Sequence, residues 1–163
     1  MFRILMIGLA ALSLSACQGK AQAPDQSGPS KTFMASNAKQ PGVVVLPSGL
    51  QYKIVKSGPA TGNKPQLNDE VKVNYEGKLP DGKVFDSSYA RGMPAAMPLA
   101  NLIPAWVEAL KLMRPGDEWI LYVPPELGYG AEGAGADIPP NSPLIFRIEL
   151  IDLLPAPGRV QQG

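Results

Sequence analysis

The chain has 163 residues, of which 45% are apolar and 18% are charged, and its formal net charge is +1. That length and apolar content suffice for one domain with its own hydrophobic core. The near-neutral charge argues against a nucleic-acid-binding protein, which needs a basic surface for phosphates. The absence of histidine and the single cysteine exclude histidine-based acid–base catalysis, Ser-His-Asp and Cys-His arrangements, ordinary structural zinc sites and an internal disulfide. The 17 glycines and 18 prolines favour a turn-rich β or α+β domain.

The N-terminus has the pattern of a signal peptide over residues 1–16. One positive charge precedes an apolar run, Ile4 to Ala16, that is shorter than the ~20 residues needed to span a bilayer. The run ends in Leu14-Ser15-Ala16-Cys17, which resembles the bacterial lipobox, in which the cysteine is lipidated. The alternative is a plain secretory signal with Cys17 unmodified. Gln18 after the cysteine resembles the sorting pattern of outer-membrane lipoproteins, which implies a lipid-anchored envelope protein facing the periplasm.

Two further segments have compositions that are too polar to form a core. Residues 17–40 are mostly Gly, Ala, Gln, Ser, Pro, Asp, Lys and Asn, with only Phe33 and Met34 as larger apolar residues. Such a segment cannot bury enough apolar surface to offset the entropy lost on ordering, so we predict a flexible tether. Residues 155–163 are predicted to be a loose C-terminal tail. The folded domain is then expected to span residues 41–154.

Within this domain, alternation of apolar and polar residues predicts an antiparallel sheet of about five strands. The strand signals are Leu50–Val55, Val71–Tyr75, Trp119–Val123 and Leu144–Ile151, and a turn at Pro80–Lys83 lies between two strand segments. One stretch is helical instead: Pro104 suits a first turn, and Pro115-Gly116 suits a helix end. Between them, Trp106 and Leu110 fall on one apolar face. The predicted fold class is α+β, with the sheet wrapped around one short central helix.

Seven short blocks of this domain follow one another in an order known from one family. They are Val73–Gly77, Gly82–Ser88, Leu102–Trp106, Arg114–Asp117, Leu127–Gly130, Ile138–Asn141 and Leu144–Leu150. Their sequences resemble those of the FKBP-type peptidyl-prolyl cis-trans isomerases, which accelerate rotation about X–Pro peptide bonds. Each block alone is weakly specific, whereas seven in the same order cover nearly the whole domain.

The resemblance implies a proline-binding pocket, residue by residue. The implied catalytic residues are Tyr75, Phe85, Asp86, Trp106, Tyr129 and Phe146, and the implied substrate-binding residues are Arg91, Met97, Leu102, Ile103 and Ile138. In the family's pattern Trp106 is the pocket floor, Asp86 a buried carboxylate partnered by Arg91, and Tyr129 a rim tyrosine that donates to ligand. Ile103 supplies the backbone N–H that meets the substrate carbonyl. Without the resemblance, the aromatic residues would be interpreted as ordinary core, and Asp86 as a turn or helix cap.

Two residues depart from the family's pattern. Met97 stands where phenylalanine is common, and Ala105 replaces a common glycine. The first is expected to alter the pocket wall, and the second to add a methyl group to a helix. The aromatic set is intact, which favours activity over the alternative function, a membrane-tethered peptide-binding chaperone or interaction module with little isomerase activity.

The resemblance also implies the partners. We expect proline-containing polypeptides as substrates, the macrolides tacrolimus and rapamycin as inhibitors, and neither cofactor nor metal nor nucleic acid. Rotation about an amide makes and breaks no covalent bond, so the reaction needs no histidine. Residues 17–40 contain no long amphipathic stretch, so the helical dimerisation arm of some family members is expected to be missing and the chain to be a monomer.

Overall fold

The structure is a computed structural model that describes residues 23–158. Within these residues seven strands form one antiparallel sheet in the order β1-β2-β6-β7-β3-β4, and β5 also pairs with β3. The strands are β1 (Val43–Val45), β2 (Gln51–Lys56), β3 (Glu70–Lys78), β4 (Val84–Ser87), β5 (Ala95–Pro98), β6 (Glu118–Val123) and β7 (Leu144–Leu154). The helices are α1 (Ser27–Asn37), α2 (Pro104–Leu110) and two short 3-10 helices, Leu99–Asn101 and Pro125–Leu127. The predicted α+β fold class is confirmed.

The centre of the sheet is the long pair β3 and β7. Side chains alternate along both strands between the core and the outer face, as the sequence predicts. Tyr75 pairs with Ile148, and Gly77 pairs with Phe146. Neighbouring strands therefore present an aromatic side chain each to the same side of the sheet.

The helix α2 covers this side of the sheet. It begins with Pro104 in its first turn, where the missing N–H costs no hydrogen bond. It buries Ala105, Trp106, Ala109 and Leu110 in the core. The helix ends at Leu110, earlier than the expected end at Pro115-Gly116. Burying each large apolar side chain contributes about 1.5–3 kcal/mol.

The outer strand beside β3 is interrupted, which brings a loop to the same side of the sheet. β4 pairs with the end of β3 and β5 with its beginning, so residues 88–94 form a loop between them. Ser88, which is fully buried, donates its N–H to the Tyr75 carbonyl at 2.9 Å and accepts the Tyr75 N–H on Oγ at 2.8 Å. These bonds continue the ladder where the strand stops, and the loop then carries Arg91.

The N-terminal segment differs from its prediction. Ser27–Asn37, expected to lie in a flexible tether, forms the helix α1, so that prediction is wrong for these residues. The Gln26 N–H donates to the Pro140 carbonyl at 3.0 Å. At the other end of α1, Asn37 Nδ2 donates to Gln51 Oε1 at 2.8 Å. The helix is held by hydrogen bonds to the domain, which an apolar pattern does not reveal.

The beginning of the C-terminal tail is also held on the domain. Ala156, expected to lie in a loose tail, donates its N–H to Asp69 Oδ1 at 3.0 Å. The strands that exceed the expected five are short ones of three or four residues, too brief for alternation to be recognised. The predicted signal peptide, Cys17 and residues 159–163 lie outside the described residues.

Candidate functional site

A cavity of about 320 Å³ opens between the sheet and the beginning of α2. Its lining residues are Tyr75, Phe85, Asp86, Met97, Asn101, Leu102, Ile103, Trp106, Tyr129 and Phe146. All the pocket residues predicted from the sequence are among them, except Arg91 and Ile138. The fold thus brings together side chains from four strands, the helix α2, the 3-10 helix Leu99–Asn101 and two loops at one place.

Four aromatic rings form the walls and floor of this cavity. Trp106, 4% exposed, meets Tyr75 with ring centroids 5.0 Å apart and an interplanar angle of 80°. Phe146 lies edge-on to Trp106 at 5.2 Å and edge-on to Phe85 at 5.6 Å. Such edge-to-face pairs are worth ~0.5–1.5 kcal/mol beyond their buried area. The rings therefore hold one another in a fixed apolar surface.

A polar cluster lies at one side of the rings. The Tyr75 hydroxyl donates to Asp86 Oδ2 at 2.5 Å, and the Arg91 guanidinium donates to Asp86 Oδ1. Arg91 also donates to the Tyr75 hydroxyl at 2.9 Å and lies 5.4 Å from the centroid of its ring. Arg91 thus does not line the cavity, but it binds Asp86 and Tyr75, which do.

The charges of this cluster are set by its hydrogen bonds. Burial alone would raise the pKa of the Asp86 carboxyl, but the bonds from Tyr75 and Arg91 outweigh it and lower the pKa below its ordinary value. Burial, followed by the hydrogen bond to Asp86, raises the pKa of Tyr75. Around neutral pH, Asp86 is therefore ionised and Tyr75 is a neutral donor. The carboxylate acts as an acceptor that orients its neighbours.

Two groups at the cavity are available to bind carbonyl oxygens. At the start of α2, the Ile103 carbonyl accepts a hydrogen bond from the backbone N–H of Trp106 at 2.9 Å. The backbone N–H of Ile103 has no acceptor within residues 23–158. Tyr129 is 39% exposed at the rim, and burial followed by the Asp86 charge raises the pKa of its hydroxyl. A polypeptide bound in the cavity can accept hydrogen bonds from both groups.

Besides Arg91, the lining of the cavity differs from the sequence prediction at Ile138 and Asn101. Ile138 is 6% exposed, packs in the core and forms a backbone bridge with Ala134, and it does not line the cavity. Asn101 does line the cavity and was missed by the sequence reasoning. Its only signal was its place next to Leu102, at the end of a 3-10 helix.

Residues 23–158 contain neither a candidate metal site nor a candidate membrane-spanning helix. In that part of the chain, no group of three or more Cys, Asp or Glu side chains could hold a metal ion. No helix there is both long enough and apolar enough to cross a bilayer.

Comparison with known proteins gives the family. Residues 61–151 match the family described as FKBP-type peptidyl-prolyl cis-trans isomerase. Residues 10–54 match the family described as the domain amino terminal to FKBP-type peptidyl-prolyl isomerase. The second match includes the helix α1, which the composition of the segment did not indicate.

Individual relatives agree with these matches. Peptidyl-prolyl cis-trans isomerase Mip of Coxiella burnetii is 52% identical over 124 residues, covering 76% of this chain and 53% of the relative. Outer membrane protein MIP of Legionella longbeachae is 50% identical over 121 residues, covering 74% and 51%. A crystal structure of a peptidyl-prolyl cis-trans isomerase from Pseudomonas syringae pv. tomato has a TM-score of 0.74 and 41% identity, covering 81% of this chain and 97% of that one. The chain spans about half the length of the two curated relatives. It belongs to the FKBP-type peptidyl-prolyl cis-trans isomerase family.

Proposed function

We propose that this chain is a peptidyl-prolyl cis-trans isomerase that acts on proline-containing polypeptides of the cell envelope. The observation that carries the proposal is the aromatic cavity of about 320 Å³, with carbonyl-binding donors at its edge, in a chain of this family. The proposed catalytic residues are Tyr75, Phe85, Asp86, Trp106, Tyr129 and Phe146, and the proposed substrate-binding residues are Arg91, Met97, Leu102 and Ile103. The placement of Ile138 supports a packing role for that residue.

The barrier to be lowered is that of a twisted amide. Resonance gives the peptide bond a rotation barrier of ~18–20 kcal/mol, and spontaneous X–Pro isomerisation takes ~10–100 s. A turnover of about 100 per second requires roughly 4–5 kcal/mol off that barrier, at about 1.36 kcal/mol per tenfold. No nucleophile is involved, so all of this must come from tighter binding of the twisted amide than of either planar form.

The geometry supports such differential binding. Water stabilises the planar, polar amide more than the twisted one, and the apolar rings of Trp106, Tyr75 and Phe146 exclude water from the bound proline. The Ile103 N–H and the Tyr129 hydroxyl would hold the carbonyls on either side of the rotating bond. Asp86 and Arg91 fix the Tyr75 ring and transfer no proton in this mechanism.

The decisive test is catalysis by the full chain in mild detergent. A peptide with one X–Pro bond should isomerise faster in its presence, and Trp106→Phe should lower kcat/KM about tenfold because the floor of the cavity is lost. Trp119→Phe is the matched control: Trp119 is also buried, at 5% exposure, but lies outside the cavity and stacks on Tyr52 at 4.3 Å. It should keep kcat/KM within about twofold. Peptide binding without acceleration would instead indicate a peptide-binding module.

We also propose that Cys17 anchors the protein to the outer membrane, facing the periplasm. The support is the lipobox-like sequence and the printed name of the Legionella relative, an outer membrane protein. With α1 packed on the domain, only residues 18–24 separate Cys17 from the first anchored contacts, and about seven extended residues reach at most ~25 Å. Cys17→Ser should shift the protein from the detergent phase to the aqueous phase, since acyl chains contribute ~0.8 kcal/mol per buried CH₂. Equal partitioning of both forms would contradict the anchor.

Two finer properties complete the proposal. Tacrolimus and rapamycin, which fill the proline pocket in the family that this chain resembles, should compete with the peptide for the cavity. The chain should be a monomer, since α1 packs on its own domain through Asn37 and Gln26. Sedimentation equilibrium in detergent measures the second property directly.

A further inference from the structure

One glycine of β3 lies beneath the aromatic wall of the cavity. Gly77 is buried and pairs with Asp86 on β4 and with Phe146 on β7. A Cβ atom at this position would lie 2.6 Å from Phe146 Cε1 and 2.6 Å from Phe85 Cε2. Real Cβ atoms essentially never approach other atoms this closely, so the two rings occupy the space that any side chain at residue 77 would need.

The need for glycine here is one of space and not of backbone conformation. Gly77 does not have a positive φ, and it lies in the strand β3, whose backbone conformation accepts L side chains. Gly82, in the turn between β3 and β4, is the opposite case: its φ is +91°, and a Cβ there would meet nothing within 4 Å. The same hairpin thus contains one glycine required by its backbone and one required by its neighbours.

We propose that Gly77 is a positioning residue of the site, which sets the place of the Phe85 and Phe146 rings by lacking a side chain. The proposal rests on the proposed isomerase function. Phe146 is wedged between Trp106, at 5.2 Å, and Phe85, at 5.6 Å, and is 3% exposed. Phe85 is only half-buried on the short outer strand β4, so it is the ring that yields when a methyl group is added.

The displaced ring changes the cavity because Phe85 is one of its lining residues. The edge-to-face contact of Phe85 with Phe146 is lost, and the wall moves relative to the Trp106 floor. Misplacement of binding groups by ~1 Å can cost up to about 100-fold in rate. Gly77→Ala should therefore lower kcat/KM at least about tenfold, with kcat falling because the twisted amide loses its fit.

The test compares Gly77→Ala and Gly82→Ala in the full chain, by kcat, KM and the urea midpoint of unfolding. Gly82→Ala strains a turn whose residues do not line the cavity, so it should lower the midpoint and leave kcat/KM within about twofold. Gly77→Ala should lower both quantities. If both variants lower kcat/KM equally for equal loss of stability, or if Gly77→Ala leaves kcat/KM unchanged, the proposal is wrong.

A double-mutant cycle with Phe85→Leu separates crowding of the ring from general damage. Leucine lacks Cε2 and Cζ, which are two of the three atoms nearest to the added methyl group. The third, Phe146 Cε1, can then move into the space that these two atoms leave. Alanine at residue 77 should therefore lower the midpoint much less in the Phe85→Leu background than in the wild type. If Gly77→Ala alone fails to fold, the double variant should fold, and failure of both would overturn the proposal. An inactive wild type would refute the isomerase function, while the stability cycle would still test Gly77.

Discussion

Two concavities of this protein have similar volumes and differently built walls. The proposed active-site cavity, of about 320 Å³, is walled by aromatic rings from three strands and α2 in edge-to-face contact. The second concavity, which we name the α1 groove, has a volume of about 370 Å³ and lies between α1, the β3–β4 turn and residues 139–143. Among its lining residues only Phe33 is aromatic, and five are prolines.

The difference shows that size does not identify the site. Two of the rings of the cavity, Tyr75 and Phe146, are carried by the central strands β3 and β7, which pair along most of their length and fix these side chains. One wall of the α1 groove is a helix held at its beginning by single hydrogen bonds, Asn141 Nδ2 to Asp25 Oδ1 at 2.8 Å and Gln26 N–H to Pro140 at 3.0 Å. A site that must favour one twisted form of its substrate requires the more rigid walls.

The largest expected difference in kcat/KM is between a variant that lacks one ring of the cavity and a variant that lacks the ring of the α1 groove. Phe146→Leu deletes the edge-to-face contacts with Trp106 and Phe85, and we expect kcat/KM to fall about 10- to 100-fold. Phe33→Leu removes the ring that packs 6.3 Å from Tyr122, and it should change kcat/KM less than about twofold. Peptide isomerisation by the two purified variants measures both. A comparable loss in Phe33→Leu would show that the α1 groove takes part in the reaction.

A somewhat smaller effect is expected from the polar cluster. Asp86→Leu removes the acceptor for the Tyr75 hydroxyl and for Arg91, so the Tyr75 ring loses its fixed place and kcat/KM should fall roughly tenfold. Asp137→Leu is the matched control, because Asp137 forms an ion pair with Lys83 on the exposed surface outside the cavity, in which Lys83 Nζ donates to Asp137 Oδ1 at 2.8 Å. It should leave kcat/KM within about twofold, since exposed pairs contribute little. Unchanged catalysis by Asp86→Leu would remove Asp86 from the site.

The sequence pattern predicts the strands that carry the cavity walls, but it does not by itself predict that a cavity exists. β3 and β7 follow from alternation alone, because burial of one face forces period two on the sequence. The side chains of Tyr75, Trp106 and Phe146 also look like core by pattern, and they are buried. Only the order of the seven blocks distinguished a pocket from a core, since periodicity does not report a cavity.

The parts that sequence reasoning missed depend on contacts between distant residues. Asp25 and Asn141 are 116 positions apart, so no local pattern indicates that α1 is held on the domain. Asn101 enters the cavity through a 3-10 helix, whose short length gives no periodic signal. Ile138 was placed in the pocket by its block, but its bridge to Ala134 turns it into the core.

Substitution of Met97 tests one residue of the cavity wall, and we expect it to change inhibitor binding by up to about tenfold. Met97 lines the cavity and packs against the core, where a flexible thioether replaces the family's common aromatic ring. Met97→Phe should tighten binding of tacrolimus by up to about tenfold, because an aromatic contact adds ~0.5–1.5 kcal/mol. Turnover of a small peptide should change less. Inhibition that is unchanged or weakened in Met97→Phe would show that residue 97 does not contact the macrolide.

The smallest expected effect is that of pH, and it tests whether any group at the cavity exchanges a proton. The pKa of Asp86 lies below its ordinary value, and burial raises the pKa of Tyr75 and Tyr129 above theirs. Because the chain has no histidine, kcat/KM should vary less than about twofold between pH 6 and 8.

At acid pH, the lowered carboxyl pKa values predict that the fold becomes less stable as the pH falls. A carboxyl whose pKa is lower in the folded protein stabilises the fold at pH values above its unfolded pKa, ~3.9, and this contribution is lost as the pH falls through the folded pKa. Asp86 and Asp25, whose pKa is lowered mainly by the hydrogen bond from Asn141, are both of this kind. The urea midpoint of the wild type should therefore fall below about pH 4, and Asp86→Leu should lose part of that dependence. Because Asp25 does not line the active-site cavity, Asp25→Asn should remove its own share of the dependence without changing kcat/KM. A bell-shaped rate profile centred near pH 7 would contradict catalysis by binding alone, because no group that the structure places at the cavity titrates there.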